Sequence, residues 1–128
     1  MALVGIVLVS HSERLALGLS DLLRQVATEE VRIEPAAGTE EGELGTSAAR
    51  IEAAVHRADT GAGVVVLADL GSAVLTARTV LEDLPAGPVL VDAPFVEGAV
   101  AAAVLASAGA DLQTVAEAAR EARDVPKL

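Results

Sequence analysis

Hydrophobic and polar positions along this chain switch between two periods. From Leu3 the residues Leu-Val-Gly-Ile-Val-Leu-Val run without a polar break and end at Ser10-His11-Ser12. A continuous aliphatic and β-branched run of this length is the pattern of a strand buried on both faces. Leu15, Leu19, Leu22, Leu23 and Val26 follow at helical spacing, which predicts a helix with all five on its inner face. Ser10 with Glu13 fits a capping box at its start, and Ser12 is a second candidate cap. Val31-Arg32-Ile33 predicts a short, partly exposed strand ended by Pro35. Gly38 to Ser47, Gly-Thr-Glu-Glu-Gly-Glu-Leu-Gly-Thr-Ser, is a loop by composition.

The same alternation continues to the end. Ile51, Val55 and Ala58 mark the inner face of a second helix whose outer face carries Glu52, His56 and Asp59. Gly61 and Gly63 lead into Val64-Val65-Val66-Leu67-Ala68, a second buried strand that stops at Asp69-Leu70-Gly71-Ser72. Val74, Ala77, Leu81 and Leu84 predict the buried stripe of a third helix. Pro85 to Pro88 is a turn, and Val89-Leu90-Val91 a fourth strand. The rest is helical: an Ala/Val-rich segment from about Glu97 to Ser107, a break at Gly109, and a last helix opened by Asp111.

Four strands alternating with helices predict an open parallel α/β sheet flanked by helices, with the strand order 2-1-3-4. Residues 1–128 are expected to form a single domain. In that order the chain reverses its winding between strands 1 and 3. The sites of such sheets lie at this point, outside the carboxyl ends of the strands. His11 and Asp69 are therefore expected side by side, although they are far apart in sequence.

Composition narrows the chemistry. There is no cysteine, which excludes a disulfide framework, a thiolate nucleophile and cysteine-ligated metal. Nine basic against nineteen acidic residues give a net charge of −10, which argues against a nucleic-acid partner and for a basic protein partner. Phe95 is the single aromatic residue, so no stacking platform for bases or sugars exists. No apolar run is long enough to span a bilayer, and the N-terminal segment has no basic leader, so the expected setting is the cytoplasm, without a membrane partner.

A histidine beside a carboxylate has one ring N–H held and the other nitrogen free to act as base, ligand or nucleophile. Helices begin just past His11 and just past Asp69, so two positively polarised N-termini face the same crevice, as does the Gly38–Ser47 loop. Such a place suits a phosphoryl group. Simpler fates exist for these residues: Asp69, Ser72, Thr46 and Ser47 are all of types that cap helices, and His56 is expected to pair with Glu52. A phosphate-accepting receiver domain would need an acidic pair after strand 1, where Ser10-His11 stand. A Ser72-His11-Asp69 hydrolase would need a nucleophile elbow, which Asp-Leu-Gly-Ser-Ala is not. A metal site is the poorest fit, with only two histidines in the chain. A non-catalytic anion-binding module would use the same crevice.

Four segments carry a resemblance: Val9-Ser10-His11-Ser12-Glu13-Arg14-Leu15, Gly45-Thr46-Ser47, Asp69-Leu70-Gly71-Ser72-Ala73 and Ala93-Pro94-Phe95-Val96-Glu97-Gly98-Ala99. Together they resemble, over nearly the whole chain, the phosphoryl-carrier (M) subunits of phosphoenolpyruvate-dependent dihydroxyacetone kinase, whose domain belongs to the mannose-type EIIA group. The Gly-Ser-Ala and Val-Glu-Gly blocks favour these over the EIIA domain of a mannose-type sugar transporter, which is the alternative. Phe95 departs from the smaller aliphatic residue expected there.

The resemblance implies that His11 is phosphorylated on the ring nitrogen remote from Asp69 by a histidine phosphocarrier protein. His11 would then pass the group to ADP on a nucleotide-binding (L) subunit, which serves dihydroxyacetone on a substrate-binding (K) subunit. It further implies a homodimer, a donor that is a separate protein, no resident cofactor, and Mg²⁺ that belongs to the partner's nucleotide. Backbone N–H groups at Gly71 and Ser72, with hydroxyls of Ser72, Ser12, Thr39 and Thr46, are the expected donors to the phosphoryl oxygens. Asp69 would stabilise the charge that develops on the imidazole.

Overall fold

The computed structural model describes residues 2–128. Strand β1 (Gly5–Ser10) is buried at every position, as its unbroken apolar run requires. The remaining elements follow in chain order: α1 (Glu13–Arg24), β2 (Ile33–Ala37), α2 (Ala48–Ala58), β3 (Val64–Ala68), α3 (Gly71–Glu82), β4 (Pro88–Leu90), α4 (Phe95–Ser107) and α5 (Leu112–Glu121). The four strands are parallel in the order β2-β1-β3-β4, the arrangement expected from the sequence.

Successive β1 side chains point to opposite faces, and this divides the core in two. Ile6 and Leu8 meet Leu19 and Leu23 of α1 and the alanines of α4 and α5. Val7 and Val9 meet Ile51 and Val55 of α2 and Ala73 and Ala77 of α3. Small residues let these helices approach closely. The carbonyl oxygen of Ala58, at the end of α2, would lie 2.2 Å from a Cβ placed on Gly5, so only glycine fits at the start of β1. Phe95 is half-buried against the α4–α5 side of the core.

The structure departs from the sequence pattern at several local points. Of the five α1 residues expected to face inward, Leu19 and Leu23 do so, together with Ala16; Leu15, Leu22 and Val26 are each more than two-fifths exposed. The buried stripe is narrower than the leucine pattern and includes Ala16, a fully buried small residue that carries little weight in that pattern. In α3 the fully buried residues are Ala73, Ala77 and Val80, while Val74, Leu81 and Leu84 are only partly covered. Again the small side chains face the strands. Pro35 does not end the second strand but lies within it, opposite Leu8. As β2 is an edge strand, one side of its backbone has no ladder partner and a missing N–H is tolerated there. The Ser10–Glu13 capping box does not form: Ser12 caps α1, accepting from the Leu15 N–H, and the Ser10 hydroxyl points elsewhere.

Among the described residues no helix is long and apolar enough to cross a membrane.

Candidate active site

The sheet itself builds the site. The β1–β3 ladder runs to Val9 opposite Ala68, and the Asp69 N–H extends it by one bond to the Val9 carbonyl at 3.1 Å. Ser10, His11 and Asp69 therefore leave the sheet together, with His11 and Asp69 58 positions apart in sequence. Asp69 Oδ1 lies 2.9 Å from His11 Nδ1. The side chains are 24% and 9% exposed, so the pair is shielded but reachable from one side.

Asp69 takes up four donors. The Ser10 hydroxyl and the His11 N–H reach Oδ2 at 2.8 and 3.0 Å. The Leu70 N–H reaches Oδ1 at 2.8 Å, beside the imidazole Nδ1. Burial by itself raises the pKa of this carboxyl. The hydrogen bonds from Ser10, the His11 backbone and the His11 ring outweigh it and hold Asp69 below the usual carboxylate range. An ionised Asp69 accepts only, so the bonded Nδ1 carries the proton and Nε2 presents its lone pair.

Nε2 meets the hydroxyl of Ser72 in the first turn of α3. That helix start differs from three others in the chain. Ser12, Ser47 and Asp111 cap α1, α2 and α5 with side-chain oxygens, whereas the residue before α3 is Leu70, with no acceptor to offer. The first N–H groups of α3 thus have no side-chain cap beside the free nitrogen of His11, which is an arrangement for an anion. A Cβ at Gly71 would meet nothing within 4 Å, so the surface there is open.

The other expected contributors sit further back. Thr39 uses its hydroxyl to accept the Glu43 N–H, closing the glycine-rich loop on itself. That loop is tied to the site by the Gly45 N–H, which donates to the His11 carbonyl at 2.9 Å. The Thr46 hydroxyl lies 3.0 Å from that of Thr76, which in turn donates to the Ser72 carbonyl, so Thr46 braces α3 rather than reaching His11 itself. Ser12 Oγ is occupied as the α1 cap. His56 pairs with Glu52 on an exposed face, as expected. Among the described residues no three His, Cys, Asp or Glu side chains cluster as metal ligands would. Two participants were missed from sequence. Thr76 gave no signal, and Ser10 gave a misleading one, since its spacing to Glu13 mimics a cap.

Residues 5–116 match the family EIIA-man, described as PTS system fructose IIA component. The phosphoryl donor subunit DhaM of PEP-dependent dihydroxyacetone kinase 2 from Listeria innocua is 37% identical, over 80% of this chain and 85% of that protein. The phosphotransferase subunit DhaM from Lactococcus lactis is 35% identical, over 88% of this chain and 90% of its own length. The Escherichia coli DhaM is 38% identical over 88% of this chain, which spans only 25% of that longer protein. A crystal structure of EF1359, a protein of unknown function, superposes with a TM-score of 0.83 at 36% identity, covering 92% of this chain and 93% of that one. By fold and sequence alike, this chain belongs to the mannose-type EIIA family, together with the DhaM subunits of dihydroxyacetone kinases.

Proposed function

We propose that this chain is a phosphoryl-relay subunit of a phosphoenolpyruvate-dependent dihydroxyacetone kinase and that His11 carries the phosphoryl group on Nε2. The observation that carries this reading is the Asp69–His11–Ser72 line at the uncapped start of α3. The relatives named above are kinase donor subunits, which favours the kinase over the sugar-transporter alternative.

In this reading the Nε2 lone pair attacks the phosphorus of a phosphohistidine on a carrier protein. The new N–P bond forms as the old one breaks, and the carrier imidazole leaves. His11 keeps its Nδ1 proton throughout, so its ring gains positive charge, which the ionised Asp69 offsets. The Ser72 hydroxyl, which occupies the approach to Nε2 at rest, turns toward the equatorial oxygens alongside the N–H groups of the first α3 turn. Handing the group to ADP on a nucleotide-binding subunit reverses these movements. Mg²⁺ belongs to that nucleotide. Exposed Leu44, Leu70 and Leu75, on the loop and the helix that border His11, suit transfer between protein surfaces. We place the relay in the cytoplasm, as a homodimer, with residues 1–128 folded as one domain.

The test is intact mass after exposure to phosphoenolpyruvate, enzyme I and the histidine carrier. One acid-labile phosphoryl group per chain is expected, none on His11→Ala, and loss of the group on adding the ADP-loaded nucleotide subunit. An equally phosphorylated His11→Ala would refute the assignment. A phosphorylated chain that never discharges to the nucleotide subunit would point instead to a non-enzymatic regulatory module of the same fold.

A further inference from the structure

We propose that Ser10 is a positioning residue for His11: its hydroxyl pins Asp69 Oδ2, so that Oδ1 stays aimed at Nδ1 and the Nε2 lone pair stays free. The inference rests on the reading of His11 as phosphoryl acceptor and adds a residue to it.

Ser10 is the one fully buried polar side chain among the described residues. It closes a strand whose other five residues are Gly, Ile, Val, Leu and Val, where an aliphatic side chain would be the default. A buried hydroxyl there needs partners, and it has two: Asp69 Oδ2 at 2.8 Å and the Ser12 N–H at 3.1 Å. Since the Ser12 amide donates to the hydroxyl oxygen, the single hydroxyl proton is left for Asp69.

What this bond does follows from the carboxylate's freedom. Rotation about the terminal bond of an aspartate is soft. Two backbone N–H groups hold Asp69, one on each oxygen, and Ser10 adds a third, buried anchor on the oxygen that faces away from the ring. Without it, Oδ2 keeps one donor and the carboxylate can turn off Nδ1. In water a free histidine side chain favours the proton on Nε2. A nucleophilic Nε2 therefore depends on a well-aimed acceptor at Nδ1.

The experiment uses the full chain with ¹⁵N-labelled histidine, as wild type, Ser10→Ala and Ser10→Thr. It reads the ring nitrogen resonances of His11 in mildly alkaline solution and the rate of phosphorylation by phosphoramidate, a small-molecule donor. In the wild type, Nε2 is expected to be pyridine-like. Ser10→Ala should shift it toward the protonated, pyrrole-like position and slow phosphorylation about tenfold, a change worth about 1.4 kcal/mol, and Ser10→Thr should restore both. A wild-type imidazole spectrum in folded Ser10→Ala, whatever its rate, would overturn the proposal, as would a folded Ser10→Thr as impaired as the alanine variant. If wild-type His11 takes no phosphoryl group, the relay reading fails, while the spectra alone still decide the role of Ser10.

Discussion

Two donors meet each oxygen of the Asp69 carboxylate, and all four groups come from residues 10, 11 and 70, directly beside it in the sheet or the chain. A carboxylate held this way is favoured in its charged form, so its folded-state pKa falls below the unfolded value of about 3.9. The stability this contributes is complete above that unfolded pKa and is lost as pH drops through the lower, folded one. Asp69→Asn is therefore expected to be less stable than wild type at neutral pH, with the gap closing below about pH 4; denaturant midpoints at both pH values check this. A gap that persists unchanged in acid would mean that the carboxylate charge is not what holds the site. The same variant should accept phosphate about a hundredfold more slowly or worse, because an amide can donate to Nδ1 and stabilise the wrong tautomer. At this scale the sequence was partly legible. His11 and Asp69 are each the first polar side chain of their kind after an apolar run, and the strand order brings them together. The role of Ser10 was hidden, because a serine three positions before a glutamate satisfies a local pattern, and only the neighbouring strand reveals the stronger partner.

Elements were legible in kind and order because the central strands β1 and β3 are almost purely aliphatic and each helix opens at Ser, Gly, Pro or Asp. Which helical face is buried was less legible. Leucine spacing suggested a wide inner face for α1, yet a helix packed closely on a sheet favours small residues on that face, and Ala16 is buried while Leu15 and Leu22 are exposed. The same preference puts Ala73 and Ala77 inward in α3. Pro35 misled for a related reason: proline ends a central strand but not an edge strand, and edge status depends on the final strand order. Close approach also yields a test. Because the Ala58 carbonyl oxygen would lie 2.2 Å from a Cβ on Gly5, Gly5→Ala must push α2 off β1. A loss of at least about 2 kcal/mol in unfolding free energy is expected, the scale of overpacking in a filled core. Stability within about 0.5 kcal/mol of wild type would show that α2 is not seated on β1 as described.

For the whole molecule, the net charge of −10 and the shallow placement of His11 bear on one question, namely how a phosphoryl group reaches it. An imidazole 24% exposed at a surface with an acidic neighbouring loop, Glu40, Glu41 and Glu43, suits delivery by a basic protein. The second-order rate of phosphorylation by the carrier should then fall about tenfold between low and high ionic strength, while the rate with neutral or small donors changes little. Equal salt dependence for both donors would argue against electrostatic steering. The central claim concerns a single atom. Phosphorylated protein labelled with ¹⁵N in its histidines, observed by ³¹P and ¹⁵N nuclear magnetic resonance, reports which ring nitrogen holds phosphorus. Phosphorus on Nε2 of His11, with Nδ1 still protonated against Asp69, is the predicted result; phosphorus on Nδ1, or on the Ser72 hydroxyl, would contradict it.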